Sequence, residues 1–410
     1  MTVLNRNFFL FFLLVGVLMT GCTTMDSSGV PGGSPYRDPG TLKRGEILHV
    51  PTGVMVSEKD FYQLTAGNRI IYFGESHDNV YAHRLELEMV KALHHRYQGQ
   101  LAVGMEMFGR RSQKDIDRWL AGKMDDREFL SVFGRDWSIL DYPYYRDLLR
   151  TIREQRIPLR AINVSCSEKM SLPHESKELN GGTYPQPDDP YQQQALAALF
   201  AGHAGGHGHL EMFYGMQMLW EKTMAESIID YLDSPAGRDR KMLVLTGGFH
   251  VAYGFGIPRK VFKQRQWPYT IVMPTTPAEL EENEPQRMEV DFPELPLYVA
   301  DYLWCIPYRN LNDSRVRLGV QLQDGESGVK IVLVQPESAA AVADILAGDL
   351  ITSIDGQIVR RSQDVQYAVL NKKIGDCSHL TLIRNSRELE VTVLFAAPMK
   401  KDTQAGEQKQ

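Results

Sequence analysis

Cysteine is scarce in this sequence: there are 4 in 410 residues, at positions 22, 166, 305 and 377. No CxxC or CxxCH occurs, so neither a dithiol redox pair nor a covalently attached c-type haem is indicated. Basic runs are missing as well. With a net charge of −6 and dispersed Lys and Arg, nucleic acid is excluded as an expected partner. After residue 22 no apolar stretch approaches the roughly 20 residues that span a bilayer. What is present, 43% hydrophobic and 23% charged residues, is the composition of an ordinary globular protein. The length exceeds what one small core organises, so two domains are expected.

The beginning of the chain is distinct from the rest. Arg6 precedes "FFLFFLLVGVLM", an apolar run too short to span a membrane but suited to an export signal. It leads into "MTGC", which resembles a bacterial lipobox, with Thr20 and Gly21 before Cys22 and Met19 where leucine is usual. The expectation is cleavage and lipidation at Cys22, giving a bacterial membrane-anchored lipoprotein. Thr23 rather than aspartate follows, which points to the outer membrane. Residues 1–22 are thus read as signal peptide and 23–45 as a tether rich in Gly, Ser and Pro.

From 46 to 300 apolar strands alternate with helical periods, predicting an α/β domain with a mostly parallel sheet flanked by helices. "RIIYF", "LAVGMEMF", "IPLRAINV", "KMLVLTGG" and "YTIVMP" read as its strands. One helix is expected to bury Leu85, Met89, Ala92, Leu93 and Tyr97; a longer one over 211–232 presents Phe213, Met216, Trp220, Met224 and Ile228. The conspicuous polar residues follow or end these strands: Glu75 and His77, Glu106, Asn163, and His250. Ligands of open α/β sheets bind at the carboxyl ends of strands, so four segments aim chemistry at one edge.

From 315 to 396 the pattern changes to short strands with one helix and Gly/Asp turns. It resembles a PDZ domain of the bacterial type. Arg317, Leu318, Gly319 and Val320 stand where that family has its carboxylate-binding loop, "AGDLITSIDGQIV" where it has its Gly-Asp turn, and Ser362 where the groove helix begins. The resemblance implies capture of a protein C-terminal peptide by β-augmentation. Residues 397–410 are read as a disordered tail.

Three kinds of chemistry fit the strand-end residues. A nucleophile elbow at Ser76 is the weakest, because Asp78 replaces the last glycine of G-x-S-x-G. Gly74-x-x-His77 and Gly247-x-x-His250 repeat one signature, and with Glu75 and Glu106 they could bind a divalent metal ion or serve as acid and base of a hydrolase. Haem or another iron ligand is the third; "HAGGHGHLEMFYGMQMLW" offers His203, His207, His209 and Tyr214 beside Met and aromatic residues. A hydrogen-bonded network that only orders loops is the bland alternative. Whether the chain is an enzyme stays open.

"IIYFGESHDN", "LAVGMEMFGRRSQ", "LRAINV", "FYGMQMLWEKTMAESI" and "LTGGFHVAYGFGIP", in this order over about 66–275, resemble the ChaN family of the Tiki/TraB/erythromycin-esterase-like superfamily. The resemblance implies a lipoprotein that binds haem and assists iron uptake. Other branches imply hydrolysis of peptides or esters by the groups matching Glu75, His77, Glu106 and His250. An adaptor whose α/β domain is catalytically silent, with only the PDZ groove active, is a further possibility.

Overall fold

The computed structural model describes residues 39–165, 187, 189–203, 210–277, 297–311 and 315–396, with backbone alone at 199 and 201–203. Cys22, most of the tether, His207, His209, the side chain of His203 and the tail lie outside the described residues.

The first sheet has eight strands in the order β2-β1-β8-β7-β3-β6-β4-β5. They are β1 (Ile47–His49), β2 (Val54–Val56), β3 (Ile70–Glu75), β4 (Leu101–Gly109), β5 (Leu159–Asn163), β6 (Lys241–Gly247), β7 (Tyr269–Thr275) and β8 (Tyr302–Cys305). The five strands expected from sequence are parallel to their neighbours, as is β8 to β7. β1 adds the antiparallel edge, pairing with both β2 and β8. These three short strands carried too few apolar residues to stand out in the sequence. Two boundaries move as a result. The α/β domain continues past residue 300 to take in β8, and the end of the presumed tether is packed structure. Leu42 is buried in the core, and Gly45 donates to the Cys305 carbonyl.

Alternation along the central strands divides the core in two. Ile71, Phe73, Leu243 and Leu245 face one layer; Ile70, Tyr72, Met242 and Val244 face the other. The first layer is covered by α2 (Val80–Arg96), α4 (Asp126–Asp136) and α5 (Tyr142–Glu154), which bring Met89, Phe133 and Leu148. The second is covered by α7 (Leu210–Asp233) and α8 (Ile257–Gln264), which bring Met224, Ile228 and Val261. The remaining helices of this domain are α1 (Glu58–Leu64), α3 (Gln113–Leu120) and α6 (Pro190–His203). Among the described residues no helix is long and apolar enough to cross a membrane.

The second sheet is antiparallel, in the order β14-β13-β11-β10-β9, with β12 beside β11. It comprises β9 (Val320–Gly325), β10 (Gly328–Val334), β11 (Leu350–Ile354), β12 (Gln357–Ile358), β13 (Cys377–Arg384) and β14 (Arg387–Leu394). Two helices accompany it where one was expected: the single turn α9 (Ala339–Val342) and α10 (Ser362–Leu370). Ile331, Ile351, Leu382 and Val393 form the core. Asp349 ties this small domain together. Its buried carboxylate accepts from Arg384 through both Nε and Nη2 at 2.7 Å and from the Leu346 amide at 2.9 Å.

Asp349→Ala leaves the Leu346 amide and the Arg384 fork without their acceptor, so we predict a loss of about 1–3 kcal/mol of stability. Urea denaturation of the full chain checks it; an unchanged midpoint contradicts it.

Candidate functional site

β3 and β6 lie side by side in parallel, with Gly74 opposite Thr246 and Glu75 opposite Gly247. This register brings the two Gly-x-x-His signatures together. The reason for glycine differs from the sharp turn that the sequence implies. Gly247 has an ordinary backbone (φ −58, ψ 141), and Gly74 is not in the left-handed region either. Space is what both supply. A Cβ on Gly74 would meet Val251 Cγ2 at 2.8 Å and Gly248 Cα at 3.0 Å; one on Gly247 would meet His77 Nε2 at 2.9 Å. Each glycine makes room for the segment carrying the other histidine.

The Glu75 carboxylate is buried at the end of β3. Its Oε1 accepts from Tyr145 Oη of α5 and lies 2.7 Å from His77 Nδ1. Burial alone would raise its pKa, but His83, Glu86 and His77 together draw it down to about 2. Burial lowers the His77 pKa, and the bond and charge of Glu75 outweigh that, so it ends raised. The His77 ring packs edge-on against Trp137 with centroids 5.0 Å apart.

Glu106 belongs to β4, beside β6, and lies inside that strand rather than at its end. Its Oε2 accepts from Thr246 Oγ1 at 2.6 Å and from the Gly247 amide at 2.7 Å, and its Oε1 is 3.4 Å from His250 Nε2. Against the effect of burial, the charge of His250 holds this carboxylate well below its ordinary range. His250 is pushed the other way, up to about 10: burial opposes its charge, but Glu106 and then Glu221 favour it. Behind its ring, His250 Nδ1 stands 4.0 Å from Glu221 Oε1, and Glu221 Oε2 accepts from Gln192 Nε2 and Lys260 Nζ. Asn163 of β5 braces Glu106 by donating to its carbonyl at 2.9 Å.

The four residues singled out from sequence therefore do meet: Glu75 with His77, Glu106 with His250, and the two pairs on either side of Gly247. At neutral pH His250 is an imidazolium whose two ring nitrogens face Glu106 and Glu221, and Glu75 favours the charged form of His77. To act as a base or metal ligand His250 must first lose a proton. Among the described residues no hydrogen bond joins the Ser76 hydroxyl to an imidazole.

Sequence reasoning missed His83 and Glu86. Both lie on the buried stripe of α2, formed by Ala82, His83, Glu86, Met89, Val90 and Leu93, whereas Leu85, Ala92 and Tyr97 are only partly covered. Glu86 stands four residues after Ala82 and three before Met89, and His83 seven before Val90, so their place on the apolar stripe was the available signal. Tyr145 and Thr246 carried no such signal.

Of the haem candidates, Tyr214 is buried, and its hydroxyl donates to the Gln193 carbonyl at 3.1 Å. Burial raises its pKa, so the phenol keeps its proton and here serves as packing. Phe213, Met216 and Trp220 of α7 are partly exposed, and Trp220 meets the His250 ring edge-on at 6.2 Å. Phe213 also packs against Phe200 of α6 with centroids 5.5 Å apart, and the other haem candidates, His207, His209 and the side chain of His203, lie outside the described residues.

In the PDZ domain, Gly319 has φ +80, and a Cβ there would lie 2.1 Å from Ser338 Cβ. The carbonyls of Leu318 and Gly319 accept from the amides of Ala340 and Gln335, while Leu318 is buried and Arg317 exposed. Val320 begins β9, the edge strand of its sheet. Ser362, at the start of α10, binds Asp324 of β9 through its amide, so strand and helix flank one groove.

A family model described as "Haem-binding uptake, Tiki superfamily, ChaN" matches residues 61–261, and a PDZ model matches residues 316–394. A solved structure of ChaN from Campylobacter jejuni, described as cofacial heme binding, is 18% identical over 66% of this chain and 98% of its own, with a TM-score of 0.49. A serine endoprotease from Yersinia pestis is 22% identical over 21% of this chain and 30% of its own, with a TM-score of 0.19. Serine protease Do-like HtrA of Lactobacillus helveticus is 30% identical over 80 residues, which are 20% of this chain and 19% of that protein.

The Glu106–His250 pair predicts a pH profile. The folded pKa of His250 lies above 6.5, so its contribution is complete below pH 6.5 and is lost as pH rises toward about 10. That of Glu106 lies below 4.5, so its contribution is complete above pH 4.5 and is lost as pH falls through the lowered value. Stability from the pair is therefore greatest between these limits, and His250→Ala should flatten the alkaline limb in chemical denaturation at several pH values. An alkaline limb unchanged by that substitution contradicts the pairing.

Proposed function

We propose that this chain, with a ChaN-type domain over residues 61–261 and a PDZ domain over residues 316–394, is a lipid-tethered haem-binding protein that captures a protein C-terminus. The observation that carries the haem half is the family match. The partly exposed wall of Phe213, Met216 and Trp220 beside His250 supports it. Haem is cargo in this reading: the wall covers its apolar faces, and His203, His207 or His209 supplies the axial nitrogen. Lipidation at Cys22 would hold the protein at a bacterial outer membrane, in keeping with a role in iron uptake.

A second reading, a metal-dependent peptidase or esterase, is favoured by one observation: the two Glu–His pairs converge on Gly247. It requires His250 to be stripped of a proton before it can coordinate or accept.

Titration of the purified full chain with haem should give a saturable Soret shift at micromolar concentration. Joint substitution His207→Ala and His209→Ala should weaken binding by roughly tenfold or more. No Soret shift contradicts haem binding, and ester or peptide hydrolysis abolished by His77→Ala would favour the second reading. For the PDZ groove, a peptide ending in a free carboxylate should bind and its amidated twin should not; equal binding of the two contradicts C-terminal recognition.

A further inference from the structure

Beneath the outer pairs lies a second cluster that shares Glu75 with them and whose His83 and Glu86 the function proposed above does not use. Its members are Glu75 from the end of β3 and His83 and Glu86 from successive turns of α2, all buried. The i, i+3 spacing sets the imidazole and the carboxylate of the helix side by side, and the strand end supplies the third group.

The hydrogen bonds fix which atoms face inward. His83 Nε2 lies 3.1 Å from the His77 carbonyl oxygen, which can only accept, so Nε2 carries the proton. In the neutral ring Nδ1 is then a bare lone pair. It points at two carboxylate oxygens, Glu86 Oε2 at 3.0 Å and Glu75 Oε2 at 3.7 Å. Glu75 Oε1 is already occupied by His77 and Tyr145, whereas Glu75 Oε2 has no hydrogen-bond partner, and neither has Glu86 Oε1. Three acceptors thus converge out of water with no donor hydrogen among them. Only a cation satisfies such a set: a proton, on Glu86 or on His83 Nδ1, or a metal ion.

The geometry suits the metal. Ligand bonds of about 2.0–2.2 Å in tetrahedral or octahedral arrangement separate neighbouring donor atoms by roughly 2.8–3.6 Å. The donors here all lie within 4.8 Å of one another; the separation of 3.0 Å falls inside that range and that of 3.7 Å just beyond it, so a small inward shift of Glu75 would close the set. The supporting partners are those of built metal sites. The imidazole donates its other N–H to a backbone carbonyl, and the ligating carboxylate is held by further hydrogen bonds. Two carboxylates, a neutral imidazole and one divalent ion sum to zero charge, which suits a buried position. We propose that Glu75 Oε2, His83 Nδ1 and Glu86 Oε2 bind one first-row divalent metal ion, such as Mn²⁺ or Zn²⁺, one layer below the His77/His250 cluster.

This is independent of haem binding. The full chain, stripped with EDTA and kept free of haem, should take up one equivalent of Zn²⁺ or Mn²⁺ by elemental analysis and show a metal-dependent rise in Tm. Glu86→Gln keeps the volume, and its amide can donate to His83 Nδ1 as a protonated glutamate would, so it should fold yet bind the metal at least about tenfold more weakly. His83→Gln should show the same loss, and His250→Ala should leave metal uptake within about twofold of the unsubstituted chain. The proposal is overturned if the stripped chain binds neither ion, if Glu86→Gln and His83→Gln bind it undiminished, or if His250→Ala alone removes it.

Discussion

Three carboxylates, those of Glu75, Glu86 and Glu106, are taken out of water at the carboxyl edge of one parallel sheet. An isolated buried ion costs several kcal/mol, so each must find a partner there or hold a proton. Glu106 is paired with His250 and Glu75 with His77, while Glu86, deprived of a cation, has its pKa raised well above the usual range by burial and by neighbouring Glu75. Most of what surrounds the sheet edge follows from this requirement. Tyr145, Thr246, the Gly247 amide and Asn163 all direct donors at these glutamates or at the strands that carry them.

The fold makes the arrangement possible by lining up the ends of adjacent strands. Parallel pairing of β3, β6 and β4 delivers Glu75, Gly247 and Glu106 to one level, and glycine at 74 and 247 lets the following segments approach within contact distance. The flanking helices then supply the second tier: α2 brings His83 and Glu86 under Glu75, and α7 brings Glu221 behind His250. In the outer tier His250 meets Trp220 of α7 edge-on and His77 meets Trp137, while every member of the inner tier is buried.

The α/β architecture was legible from strong apolar runs, the PDZ domain from its resemblance to a known family, and Glu75, His77 and His250 from polar groups that end or follow strands; Glu106 was picked out on the same ground although it lies inside β4. The inner tier was not. His83 and Glu86 sit on a helix where the sequence shows a mixture of charges, and the stripe becomes visible only once Ala82, Met89, Val90 and Leu93 are known to be buried with them. The long helix misled in the same way. The regular spacing of Phe213, Met216 and Trp220 marks its half-exposed side, whereas Tyr214, Met218 and Glu221 turn inward. β1, β2 and β8 escaped notice because each is only three or four residues long. Periodicity reports an amphipathic surface; it does not say whether a charged residue on it has a buried partner across the interface.

The protonation pattern of the two tiers is the centre of this account, and imidazole nitrogen NMR on the ¹⁵N-labelled full chain, free of metal and haem, observes it directly. The account predicts that at pH 7.5 His250 is an imidazolium with both ring nitrogens protonated, while His83 is neutral with its proton on Nε2. A neutral His250 together with a charged His83, or a His83 proton found on Nδ1, would contradict it.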